Sequence, residues 1–319
     1  MKILHLKTLI TILLFTAHIC GFSLQVNHQI KQEKDRIEAA EKGLNFFVIG
    51  DWGKGDENQK KVAKAMATTA RKSPIDFIVS VGDNFYPHGV LTINDKHWTN
   101  TFENVYTDSS LQKDWYTAIG NHDYMGRVKA QLKYHKKNPR WKTKKRYYHF
   151  SKPIPNSTDS VLFVFIDTNP FDRTMSKIQG GHWRQNKKTQ LAWLKTTLGT
   201  SKAKWKIVVG HHPLFTTGFR RGKTADIQKP FLPIFEEYKV DVYFAGHDHD
   251  LQHQKPEGYT HYFISGAGSE YRGVTEDSTM TKFAAKSLGF MQINLTSNTM
   301  QVNVISGDSK TLYSTKVEK

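Results

Sequence analysis

Residues 78–89 read Ile-Val-Ser-Val-Gly-Asp-Asn-Phe-Tyr-Pro-His-Gly. Ile78, Val79 and Val81 predict the end of a buried strand. The apolar run stops at Gly82, and Asp83, Asn84, Tyr86 and His88 follow within six residues. A buried strand that ends in a small residue and then delivers a carboxylate, a phenol and an imidazole places chemistry at the carboxyl edge of a sheet. Taken alone, the stretch reads as an ordinary polar turn.

It does not stand alone. Phe46-Phe47-Val48-Ile49-Gly50 delivers Asp51, and the run ending at Gly120 delivers Asn121, His122 and Asp123. Ile207-Val208-Val209-Gly210 delivers His211 and His212, and Val242-Tyr243-Phe244-Ala245-Gly246 delivers His247, Asp248 and His249. Five apolar runs thus end in Gly and are followed at once by a metal-capable side chain. Unrelated turns would not repeat that order. Glycine lets the chain turn sharply and approach an ion or ligand closely.

Around these runs the chain reads as α/β. Val62, Ala65, Met66 and Thr69 predict a helix over residues 57–71, between strands at 44–49 and 76–81, which makes a β-α-β unit and a parallel sheet. Strands are also expected at 115–119, 147–150, 161–166, 205–209 and 241–245. Short helices are expected around Trp98 and at 125–134, and a helix through Leu191 and Leu198 closes at Gly199. Pro230 starts another that carries Phe231 and Phe235. After residue 260 the pattern alternates without helices, which predicts antiparallel strands with one solvated face. A parallel half followed by an antiparallel half predicts two sheets in one layered domain, because no linker divides residues 44–319.

The first residues are a separate matter. Lys2 and Lys7 precede an apolar run over 9–19, the form of a signal peptide cleaved near residues 20–24. The run is short for a bilayer span, which needs about 20 residues. Residues 1–22 are therefore read as a signal peptide and 23–43 as a polar segment, with a secreted or periplasmic destination. Cys20 is the single cysteine. It leaves lipid attachment open, although His18 and Ile19 suit it poorly. A mature chain without cysteine excludes disulfides and thiol catalysis, so core and metal must hold an exported protein together. The formal net charge is +17. Between Arg127 and Lys152 there are eleven Lys or Arg and no acid. Such an excess draws anionic partners toward a site, or forms a solvated basic face. No nucleic-acid-binding motif appears, so no stable nucleic-acid partner is expected.

Asp51 and Asp83 are hard oxygen donors, Asn121 a neutral one, and His211, His247 and His249 supply nitrogen. His247 and His249, at a strand end, can flank a pair of ions. A phenolate ligand, Tyr86, argues for a trivalent ion. Seven ligands are too many for one zinc, which takes about four, and suit two ions sharing a carboxylate. Two such ions clamp the attacking and leaving oxygens of a displacement.

The set Gly50-Asp51, Gly82-Asp83-x-x-Tyr86, Gly120-Asn121-His122-Asp123, Gly210-His211-x-Pro213 and Gly246-His247-x-His249 resembles the calcineurin-like metallophosphoesterases. Tyr86 makes the chain resemble the purple acid phosphatases among them, in the short tartrate-resistant form, from residue 44 to the C-terminus. The resemblance implies a four-layer sandwich of two mixed sheets flanked by helices, and acid phosphatase activity on small anionic phosphate monoesters, phosphopeptides and nucleotides included. It implies Fe(III) on Asp51, Asp83, Tyr86 and His249, with Asp83 bridging to a divalent iron, zinc or manganese on Asn121, His211 and His247. A metal-bound hydroxide would attack phosphorus, His122 would bind phosphate or protonate the leaving group, and Asp123 would orient His122.

Two departures from the family pattern stand out. Where the mammalian enzymes carry a further histidine this chain has Arg220, which grips phosphate but is no acid. His88 is the candidate to compensate. The loop over 167–187 differs from the one that represses the mammalian enzymes, so that regulation is not carried over. A monomer is expected. A phosphodiesterase or nucleotide hydrolase with the same site is the main rival reading, and a non-catalytic anion-binding protein the remote one.

Overall fold

The computed structural model describes residues 43–173, 185–275 and 279–319. The expected signal peptide, nearly all of the polar segment and the middle of the 167–187 loop lie outside the described residues.

Residues Leu44–Ile49 form β1, whose run buries both faces. Phe46 and Val48 point into a core shared with the opposite sheet, while Phe47 and Ile49 point into a second core. A strand covered on both sides needs no polar alternation. Helix α1 (Glu57–Lys72) covers the outer side with Val62 and Met66. Its first turn is capped by Asp56, whose side chain accepts from the Gln59 amide at 2.9 Å. Then follow β2 (Phe77–Ser80), β3 (Asp114–Thr117), the short helices α2 (Asn121–Met125) and α3 (Val128–Lys133), β4 (Tyr148–Pro153) and β5 (Ser160–Phe165). Helix α4 (Lys187–Thr200), β6 (Trp205–Val209), α5 (Ala225–Glu237) and β7 (Val242–Ala245) complete the alternating part. The rest is β8 (Leu251–Gln254), β9 (His261–Ser265), β10 (Thr281–Ala285), β11 (Gly289–Leu295), β12 (Thr299–Ser306) and β13 (Thr311–Glu318).

The strands make two sheets, ordered β13-β12-β11-β1-β2-β3 and β10-β8-β9-β7-β6-β5-β4. Both are mixed. Strand β1 pairs in parallel with β2 and antiparallel with β11. Strands β5, β6, β7 and β9 run parallel, with antiparallel β4 and β8 beside them. Phe46 stacks on Phe77 at 5.0 Å and meets Phe163 of the other sheet edge-on at 5.3 Å, which ties the two inner faces together. The outer face of the second sheet is covered by α4 and α5 through Leu194, Leu198, Phe231 and Phe235. The order helix, sheet, sheet, helix is the expected four-layer sandwich.

The two halves of the chain do not correspond to the two sheets, however. The antiparallel tail returns to the first sheet, where Met291 and Ile293 complete the inner core beside Val48 and Phe46. Helix α5 starts at Ala225 and contains Pro230 and Pro233 rather than beginning at Pro230. Gly199 lies inside α4, which runs to Thr200. Strands β8 and β10 were not foreseen: Leu251–Gln254 carries two glutamines and a histidine, all buried, and such polar composition hides a strand from periodicity.

Candidate metal centre

The site lies where the carboxyl ends of β1, β2, β3, β6 and β7 converge from both sheets. Each strand stops within a few residues of a site side chain. Asp51, Asp83 and His247 take left-handed backbone angles, with φ of 55°, 50° and 69°. For non-glycine residues that conformation costs on the order of 1–3 kcal/mol each, and it concentrates at functional sites. Glycines that precede site residues are needed for close approach. A Cβ on Gly120 would stand 2.1 Å from Asp83 Oδ1, and one on Gly246 would stand 2.3 Å from Asp51 Oδ2. A side chain at either place would push one ligand loop off another.

All seven expected ligands come together, and they fall into two groups. In the first, the Tyr86 hydroxyl lies 3.0 Å from Asp51 Oδ1, 3.0 Å from Asp83 Oδ2 and 3.2 Å from His249 Nε2. His249 Nε2 is also 3.4 Å from Asp51 Oδ1. In the second, His211 Nε2 lies 3.0 Å from Asn121 Oδ1, 3.2 Å from His247 Nδ1 and 3.4 Å from Asp83 Oδ2. Asp83 Oδ2 belongs to both.

The donor set fits two cations. Ligand atoms held about 2.1 Å from one ion stand roughly 3.0–3.4 Å apart, which is the spacing in both groups. Proton accounting points the same way. Tyr86 has one hydroxyl proton to offer two carboxylates. His211 Nδ1 faces the Val81 carbonyl at 3.0 Å and must donate to it, so Nε2 turns its lone pair into the cluster. Burial alone would depress the His211 pKa, but the Asp83 carboxylate beside it wins and lifts it to about 9. A proton on Nε2 thus serves where a cation would. Burial and the Asp51 and Asp83 carboxylates push the Tyr86 phenol well above its ordinary range. A bound cation reverses that sign and favours the phenolate.

His122 sits at the mouth. Its Nδ1 donates to the Pro87 carbonyl at 2.7 Å, its ring lies 4.4 Å from the Tyr86 ring, and its Nε2 is 4.0 Å from Asp83 Oδ2. Asp123 does not orient it. The Asp123 carboxylate is fully buried and accepts from Asn84 and Gly120 amides, the Asn84 side chain and Gln131. It pins the β2 and β3 loops together, and the Pro87 carbonyl takes the orienting role. His88 also fails to join the site: it is exposed, with Nδ1 against Met125 sulfur at 3.4 Å. Arg220 stands on the other flank, lining a cavity of about 30 Å³ with His212, His247 and Asp172. Its Nε is buried without a hydrogen-bond partner among the described residues.

Asp172 and Glu270 were missed from sequence. Asp172 joins His212 and His247 in a further buried group, with Asp172 Oδ2 3.3 Å from His212 Nε2 and the two imidazole rings 4.3 Å apart. Glu270 lines an open cleft of about 460 Å³ with Lys54, Tyr86, His122, His249 and Arg272. Neither follows a strand-ending glycine directly, so the repeat that exposed the other residues passes them by. The basic stretch lines a different groove, of about 770 Å³, through Lys144, Lys145 and Arg146 beside Tyr147 and Trp193.

A sequence model of the calcineurin-like phosphoesterases matches residues 44–251. The chain belongs to that family. Within it, the relatives are purple acid phosphatases. The chain is 39% identical over 287 residues to purple acid phosphatase 7 of Arabidopsis thaliana, covering 85% of this chain and 83% of that one. It is 35% identical over 298 residues to tartrate-resistant acid phosphatase type 5 of Sus scrofa, covering 86% and 87%. Among solved structures it is similar to GAP50, the anchor in the inner membrane complex of Plasmodium, at TM-score 0.78 and 26% identity, over 86% of this chain and 89% of that one.

Proposed function

We propose that the chain hydrolyses phosphate monoesters as a dinuclear acid phosphatase. Asp51, Asp83, Tyr86 and His249 would hold ferric iron, and Asp83, Asn121, His211 and His247 would hold a divalent iron, zinc or manganese. The observation that carries this reading is the single oxygen Asp83 Oδ2 shared by two four-donor groups. When bound, such a pair supplies Lewis acidity to phosphoryl oxygens and lowers the pKa of solvent water.

The chain's own residues do the rest. Because Nδ1 of His122 is committed to the Pro87 carbonyl, Nε2 is its free nitrogen at the mouth of the site. From there it contacts the phosphate or gives a proton to the leaving oxygen. Arg220, beside His247, offers a guanidinium to a phosphoryl oxygen from the opposite flank. The buried, left-handed loops hold these groups in place before substrate arrives, which is where preorganised electrostatic stabilisation comes from.

The apolar run near the N-terminus supports export to a secreted or periplasmic location, and no helix among the described residues is long and apolar enough to cross a membrane. The four donors of each group come from one chain, so the site needs no second copy to complete it. The likeness to an anchoring protein is the specific reason to keep a binding role in view. One experiment separates the readings: metal analysis and a visible spectrum of the purified protein, with turnover of an aryl phosphate monoester and the matching diester. Two metals, a broad band and faster monoester cleavage are expected. Faster diester cleavage would make it a diesterase, and no turnover with metals bound would favour binding.

A further inference from the structure

His249 presents Nε2 to the first ligand group, and its other nitrogen has an unusual setting. Nδ1 is buried, out of reach of water, and has no hydrogen-bond partner among the described residues. His211 and His122 both spend their second nitrogen on a backbone carbonyl, from Val81 and Pro87. His249 has no such carbonyl. A carboxylate oxygen is at hand instead: Glu270 Oε2 lies 3.5 Å from Nδ1.

That carboxylate is itself held in place. Lys54 Nζ bonds to the same Oε2, and Arg272 Nε stands 3.4 Å from Oε1. The Arg272 amide also donates to the His249 carbonyl at 2.6 Å, which ties this loop to the ligand's own backbone. Lys54 follows Asp51 by three residues and Glu270 lies in the loop after β9, so two loops clamp one imidazole from its outer side. A metal-ligating histidine ordinarily gives its second N–H to a carboxylate or carbonyl, which fixes the tautomer and makes the ring a stronger donor.

We propose that Glu270 is the positioning residue of His249, resting on the ligand role of His249 proposed above. Its carboxylate takes the Nδ1–H, turns the Nε2 lone pair toward Asp51 and Tyr86, and increases electron donation to a ferric ion held there. Lys54 holds Glu270 in that posture. Glu270 touches no reacting atom.

The test compares Glu270→Gln, Glu270→Asp and the double variant Lys54→Met/Glu270→Gln with the unaltered protein. The readouts are ferric iron retention against a chelator, reduction potential and the visible band. Glu270→Gln should hold iron roughly 10- to 100-fold less tightly, with a raised potential and a band moved to longer wavelength, while Glu270→Asp recovers part of each. The double variant restores the local net charge. If the shifts persist in it, they come through His249. If they vanish, Glu270 acts only as a distant charge and the proposal is overturned. It is equally overturned if the unaltered protein shows the band and Glu270→Gln matches it in every readout. An unaltered protein with no iron and no band overturns the ligand reading itself, and the positioning role with it.

Discussion

His211 Nε2 and His247 Nδ1 face each other across 3.2 Å, although the two residues arrive from neighbouring strands 36 positions apart. Two imidazole nitrogens at that distance need a proton or a cation between them. The proton is available, because Asp83 raises the His211 pKa to about 9, but a cation serves all four donors of the group at once. Removing metal with a chelator should therefore lower the melting temperature, and adding divalent ion back should restore it in a concentration-dependent way. Melting temperature unchanged by chelation, in a sample shown to have lost its metals, would argue against the shared cation.

The two donor groups predict different metal losses. Asn121→Ala should empty the divalent position and spare the iron. Asp83→Asn removes charge from the oxygen common to both groups and should cost both ions. Tyr86→Phe should retain metal but abolish the visible band. Metal analysis with spectra on the three variants checks the pattern, and equal losses from Asn121→Ala and Asp83→Asn would count against bridging.

His122→Ala should reduce kcat by roughly 10²- to 10⁴-fold and leave both metals in place. His122→Asn should recover little, because the Pro87 carbonyl bond does not substitute for a nitrogen that binds phosphate or moves a proton. Steady-state kinetics over a range of leaving groups distinguishes the roles. A proton donor matters most for poor leaving groups, whereas a phosphate contact affects all of them alike.

Asp123 is expected to behave differently from His122. Its carboxylate serves four buried donors, and each unsatisfied buried group costs about 1–3 kcal/mol. Asp123→Ala should thus destabilise the fold by more than about 3 kcal/mol, read by denaturant unfolding. Its pH–rate profile, measured on whatever folded fraction remains, should match the parent. A profile altered as in His122→Ala with stability intact would return Asp123 to the catalytic role that the sequence pattern suggests.

Acid should weaken the second sheet through a pair of histidines outside the two donor groups. His253 Nε2 and His261 Nδ1 are 3.0 Å apart on β8 and β9. Burial first, and then His261, Lys282 and Lys255, hold His253 down to about 3; burial, Lys255 and Lys282 hold His261 down to about 4. Both are neutral when folded, while the unfolded chain takes protons near pH 6.5. Stability is therefore full above about pH 6.5 and falls as the pH drops toward 4, by about 2 kcal/mol for His253 at pH 5 and by less for the more exposed His261, whose charge water screens. His253→Phe should unfold at nearly the parent's denaturant midpoint at pH 8 and at a higher one at pH 5. An equal change at both pH values would mean that protonation is not the cause.

Much of this was legible in sequence because it is local. A strand buried on both faces shows as an unbroken apolar run, and a glycine followed by Asp, Asn or His shows where that strand stops and chemistry starts. Five such units carried most of the ligand types, and the family resemblance they support implied the sandwich. Strand β8 escaped because its buried residues include polar side chains that pair with one another, as Gln252 and Gln254 do at 2.7 Å, and β10 because none of its five residues is buried.

What the sequence alone determined is thus the inventory: seven donors, their chemistry, and the strand ends that carry them. Only the tertiary structure decided who stands with whom. His247 and His249 are two residues apart, yet one faces His211 and the other Tyr86. Asp123 sits next to His122 in the chain and serves Asn84 instead. Glu270 reaches His249 only because the loop after β9 folds back over the cleft. Spacing along a chain sets which way one loop can turn. Contacts between loops depend on two sheets packing their inner faces together, and that is a property of the whole core.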